Sequence, residues 1–174
     1  MVTFTQEIKE LFGNIRYAWR ERRASYINTE IIEEHYNEDM EWCLENIESA
    51  PDNRFEYHTL MAHLWEKKAG LAKNINDNRD EIKEKLTAMI TAYGTSAGAA
   101  GGAALMAPSI YKNNSDIFSQ IAFFGFILLF GLTIYSGVLT QWRLNRVVKE
   151  HKNDTKKYKK TTDDIERLKN KQIR

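Results

Sequence analysis

Two runs without a charged residue or a histidine, residues 86–111 and 117–142, lie back to back in the second half of the chain, with only Lys112, Asn113, Asn114, Ser115 and Asp116 between them. A helix rises about 1.5 Å per residue and the hydrocarbon core of a bilayer is about 30 Å thick, so roughly 20 apolar residues suffice to cross it. Each run has that length. The expected architecture is therefore an all-α membrane protein built on a two-span transmembrane hairpin. Mean hydropathy over the whole chain is only −0.55 and does not reveal this, because charged residues crowd the sequence outside the two runs.

Those charges are sorted by region. Residues 1–85 carry 12 Lys and Arg against 18 Asp and Glu, net −6, whereas residues 141–174 carry 12 against 5, net +7. Lys83, Lys85, Arg143, Arg146, Lys149 and Lys152 stand beside the outer ends of the runs, and the connector has one charge of each sign. The excess of Lys and Arg on the flanks places both termini in the cytoplasm. The start of the chain is charged and amphipathic and does not read as a cleavable signal, so insertion is expected to use the internal spans. Cys43 is the only cysteine; on the reducing side of the membrane it is expected to be a packing or interface thiol. Asn113-Asn114-Ser115 fits the glycosylation tripeptide but reads more simply as a tight turn at the membrane.

The cytosolic parts read as helices. Thr3 and Gln6 have capping-box spacing, and Ile8, Leu11, Phe12, Ile15 and Trp19 follow at helical steps, predicting a first helix to about Arg23 with one apolar face and a basic end. A second helix is predicted from about Asn28 to Ser49, with Ile32, Tyr36, Met40, Cys43, Leu44 and Ile47 on one stripe and carboxylates elsewhere, ended by Ala50-Pro51-Asp52. A third starts near Asp52, with an asparagine-rich weak point at Asn74 to Asn78 before the first span. The expected organisation is an acidic helical region over 1–85, spans over 86–111 and 117–142 joined by an external turn at 112–116, and a basic helix over 143–174. In that last helix Leu144, Val148, His151, Thr155, Tyr158, Thr162 and Ile165 repeat at steps of three and four.

The two spans differ in composition. The second is rich in Phe, Leu and Ile, as a lipid-facing helix is. The first places Gly94, Gly98 and Gly102 at four-residue spacing, with Gly101, Thr91 and Thr95 beside them and Leu105 further on. Small residues in that pattern let helix backbones approach closely, and in lipid such packing drives association. This face is expected either to hold helices together, within the hairpin or between copies, or to line a central pore gated by apolar residues such as Leu105 or Met106. Neither span contains Asp, Glu, Lys, Arg or His, which disfavours a proton relay or a charged selectivity ring.

No cofactor and no metal site is expected, since His58 and His63 lack a third ligand at suitable spacing and His35 is on another helix. The acidic residues of the second helix read as a solvated or partner-facing surface. Basic residues at Arg20 to Arg23 and along 152–160 suit anionic lipid headgroups or RNA.

Arg146 and His151, separated by four residues just past the second span, resemble the Arg-x(4 to 6)-His signature of the HEPN ribonucleases, all-helical proteins that cut RNA as dimers without metal. In such a pair the histidine serves as general acid or base and the arginine stabilises charge on the phosphate. Val147 stands where the family usually has a polar residue. The alternative is that Arg146 anchors the chain at the membrane and His151 packs. The layout of the whole chain, with two spans, acidic and basic cytosolic helices and a divergent Arg-x4-His, resembles the small membrane accessory proteins of type VI-B CRISPR systems. That resemblance implies a homo-oligomeric pore of the bacterial inner membrane, linked in function to an RNA-guided, RNA-cutting effector, that strengthens antiphage defence by depolarising the membrane. A membrane-tethered HEPN-like ribonuclease and a non-conducting scaffold that recruits a soluble partner are the alternatives.

Overall fold

The computed structural model describes residues 4–45, 53–111 and 116–172, and these are helical almost throughout, with no strand among them. The order is α1 (Phe4–Glu21), α2 (Thr29–Glu45), α3 (Asn53–Tyr111) and α4 (Ile117–Gln172). The turns expected at Ala50-Pro51-Asp52 and over 112–115 lie outside the described residues, as does the side chain of Cys43. Asn28 and Asp116 cap their helices: Glu30 N donates to Asn28 Oδ1 at 3.0 Å, and Ser119 N to Asp116 Oδ1 at 2.8 Å. The hydrogen bonds from Ser119 hold the Asp116 carboxyl below the usual carboxylate range.

The chain forms two compact units: Met1–Arg22 with Glu81–Val147, and Arg23–Asp80 with Val148–Arg174. In the second unit, α2, the first half of α3 and the end of α4 enclose Ile32, Met61, Trp65, Ala72 and Ile165. A polar node ties the three elements together. Trp65 Nε1 donates to Asp39 Oδ2 at 2.8 Å, and Lys169 Nζ lies 2.7 Å from the same oxygen. Lys68 Nζ sits 4.5 Å from the centre of the Trp65 ring. Burial, then the nearby Lys169 ammonium, lower the pKa of Lys68.

The asparagine-rich segment is not a break, because α3 runs through it as helix. Asn76 has a specific task there: its side-chain amide accepts from Ile27 N at 3.0 Å and donates to Ile27 O at 2.9 Å, pinning the link before α2. Arg79 donates to Ser25 O and Tyr26 to Asp80. The bonds from Asn76 and Arg79 satisfy backbone groups of a segment that has no secondary structure of its own.

Two expectations about faces are corrected. On α1, among the described side chains, Asn14, Ala18 and Glu21 are buried, whereas of the predicted apolar face Leu11 and Ile15 are only half-buried and Phe12 and Trp19 are 67% and 41% exposed. On α4, Leu144, Val148, His151 and Ile165 are buried as the repeat requires, but Thr161 replaces Thr162 and Thr155 is exposed. A straight helix has 3.6 residues per turn, so a strict seven-residue repeat drifts off one face by about 20° per heptad.

Candidate functional site

The first unit contains the two runs, on the second half of α3 and the first half of α4. Their contacts run antiparallel in a consistent register. Tyr93 Oη donates to Gln141 Oε1 at 2.7 Å, the Ser96 and Thr133 hydroxyls are 2.7 Å apart, and Gly102 faces Phe126. Ser96 also lies 2.8 Å from Ala92 O and Thr133 2.8 Å from Leu129 O, so one hydroxyl donates across and the other back to its own helix. Glycine makes the close approach possible at two places. A Cβ on Gly102 would stand 2.8 Å from Phe126 Cε1, and one on Gly137 2.9 Å from Tyr93 Cε1.

The sequence-predicted glycine strip is therefore divided between two surfaces. Gly102 packs inside the hairpin, while Gly94, Gly98 and Gly101 have nothing within 4 Å of where a Cβ would be. Thr91 and Thr95 are exposed beside them, and Leu105 is 85% exposed. Steps of three and four from 91 through 94, 98 and 101 to 105 put these positions on one side of the helix. Thr95 Oγ1 donates to Thr91 O at 2.9 Å, satisfying its hydroxyl within the helix and leaving an uncharged, nearly flat surface.

The corresponding stretch of α4 has the opposite character. Among the described residues only α4 holds a stretch long and apolar enough to cross a membrane, and none of that stretch is buried. Phe118, Phe124, Leu128 and Leu132 are 81%, 66%, 65% and 59% exposed. The run on α3, with its Gly, Ala, Ser and Thr, does not reach the same apolarity, so on this measure the expected pair of equal spans reduces to one.

Arg146 and His151 lie on one helix, five positions and about 140° apart around its axis. Arg146 is exposed and His151 is 1% exposed. Of the other histidines, His58 is buried on α3 with its ring edge-on to Tyr57, and His63 is exposed. His35 bonds to Ile31 O through Nδ1 at 2.7 Å and stacks on Trp65. The role of Asp39 as the shared acceptor of Trp65 and Lys169 was not expected from sequence, where it is one carboxylate among many. Its spacing from Tyr36 and Met40, next to the apolar stripe, is the one signal that sets it apart.

Comparisons of the chain with protein-family models, with curated proteins and with solved structures give no match.

Proposed function

We propose that the chain is a homo-oligomeric membrane protein in which the paired runs of α3 and α4 cross the bilayer together and several copies enclose a pore. The open face of α3, with Thr91, Gly94, Thr95, Gly98, Gly101 and Leu105, lies at the assembly and pore axis; α4 turns its Phe and Leu residues to lipid. The observation that carries this reading is the contrast between the two exposed surfaces of one hairpin. A bare, uncharged surface on α3 gains nothing from lipid but lets another helix approach closely, whereas the large apolar side chains on α4 are what hydrocarbon solvates. The low apolarity of the α3 run then has a physical reason, since that helix is screened from lipid by its neighbours.

On this reading the membrane is the bacterial inner membrane and both termini are cytoplasmic, with Lys83, Lys85, Arg143 and Arg146 at the inner surface. The resemblance to the accessory proteins of type VI-B CRISPR systems supplies the biological setting, an RNA-guided effector whose antiphage action the pore reinforces. Opening it dissipates a potential worth about 2.3 kcal/mol per elementary charge per 100 mV. The test is ion flux into vesicles containing the purified protein under a potassium diffusion potential. Leu105→Ser removes an apolar constriction and increases the flux. A wild-type protein and a Leu105→Ser variant that both leave the potential intact contradict the proposal and favour a scaffold.

A further inference from the structure

The helix α1 leaves part of its apolar face uncovered. Among its described side chains Asn14, Ala18 and Glu21 are buried and Leu11 and Ile15 half-buried, while Phe12 and Trp19 are exposed. Lys9, Arg16 and Arg20 are exposed on the outward side as well. Lys9, Phe12, Gly13, Ile15, Arg16 and Trp19 border a shallow depression of about 730 Å³ on this surface. With no Cβ at Gly13 and open space above it, the depression lies between two bases and two aromatic rings. Arg22 lies 5.6 Å from the Trp19 ring and adds a further positive charge.

We infer that this face of α1 lies on an anionic phospholipid surface, with Phe12 and Trp19 in the headgroup and acyl boundary and Lys9 and Arg16 at the phosphates. A helix with basic residues on its polar flank and Trp or Phe on the other side binds membranes in this way, by buried apolar area plus attraction to anionic lipid. The position of α1 supports lipid as the occupant. It belongs to the same unit as the apolar run of α4, and that unit also holds the buried Ile82, Leu86, Leu144 and Val147 at or beyond the outer ends of the two runs. Leu144 and Val147 follow the end of the second run by about 3–8 Å along the helix. A headgroup layer is about 5–7 Å thick, so Leu144 and Val147 lie at its level when α4 crosses the membrane. Exposed Trp142, 68% accessible, marks the same level as an interfacial aromatic.

The inference rests on α4 crossing the membrane, and the experiment separates the two. The full chain is placed in lipid nanodiscs containing phosphatidylglycerol, and tryptophan emission is quenched with phospholipids brominated near the glycerol end of the acyl chain. Trp142→Phe and Trp19→Phe are compared with wild type. The expected result is that each substitution removes a quenchable component of similar size, and that Lys9→Gln with Arg16→Gln lowers the lipid contact of Trp19 by about fivefold per base removed. A Trp19 component quenched by aqueous iodide and untouched by bromolipid overturns the inference. Resistance to both quenchers assigns the face to another protein surface, and shielding from iodide by added single-stranded RNA assigns it to nucleic acid; both overturn it. Loss of bromolipid quenching at Trp142 as well means that α4 does not cross, and refutes the membrane reading with it.

Discussion

Replacing Gly98 by leucine separates an assembly surface from a packing surface inside the protomer. In one copy a Cβ at Gly98 meets nothing within 4 Å, so the substitution creates no clash there. It raises the helix propensity of α3 by roughly 0.5–1 kcal/mol, because glycine is the poorest helix former after proline. Where a second helix approaches the bare surface, the leucine overpacks the contact at about 1–3 kcal/mol for each interface. Since about 1.4 kcal/mol is a factor of ten, each interface weakens by roughly 5 to 150-fold, and a closed ring suffers this at every interface. Gly102→Ala is the control within the hairpin. Its Cβ would stand 2.8 Å from Phe126 Cε1 and 2.9 Å from Cζ. The ring touches with its far edge and can pivot, so the cost is about 1–2 kcal/mol in the single copy, offset in large part by the roughly 0.5–1 kcal/mol that alanine gains over glycine in helix propensity. The assay is oligomer size across a concentration series together with thermal unfolding followed by far-ultraviolet dichroism. Gly98→Leu is expected to lose oligomers while its helices melt no lower than those of dissociated wild type; Gly102→Ala is expected to keep its oligomers with little change in melting. A Gly98→Leu protein with wild-type oligomers at every concentration refutes the reasoning.

Three further outcomes concern the second unit and the pair Arg146 and His151. Asp39→Ala strips the buried Trp65 N–H of its acceptor and lowers unfolding stability by about 1–3 kcal/mol, and Asp39→Asn, which keeps an acceptor, costs less; equal losses would show that the Lys169 ion pair dominates. Burial raises the pKa of Tyr158, so its contribution is fully present below the free phenol value of about 10 and is lost as pH rises through the higher folded value. Alkaline melting curves of Tyr158→Phe are expected to lack that loss, and identical pH dependence in the two proteins contradicts the assignment. Purified protein is expected not to cut RNA, and His151→Ala to lower stability by about 1–3 kcal/mol because the ring is enclosed; RNA cleavage abolished by Arg146→Ala or His151→Ala with unchanged melting would favour the nuclease instead.

Periodicity made the helices legible, but it tells which residues share a face and not what covers that face. The apolar residues of α1 share a face by their spacing, yet Leu11 and Ile15 are only half-covered and Phe12 and Trp19 exposed, while Asn14, Ala18 and Glu21 are buried. The same distinction divided the glycine strip, since spacing of four groups Gly94, Gly98 and Gly102 while only the position of Phe126 shows that Gly102 belongs to the hairpin contact. The α4 apolar run and its exposure to the surroundings were readable from composition. Asn74 to Asn78 reads as a helix weak point because asparagine is a poor helix former; the pair of hydrogen bonds between Asn76 and Ile27, made across 49 positions of sequence, offsets that preference. Asp39 likewise could not be told from its neighbouring carboxylates until Trp65 and Lys169 were seen to converge on it.

The most direct test of the proposed pore is the mass and shape of the full chain in detergent and in nanodiscs, by mass photometry and electron microscopy. A closed ring of several copies, with α3 nearest the axis and α4 at the lipid rim, is the expected result. A monomer or dimer contradicts it, because two spans per copy leave too few helices to enclose a channel.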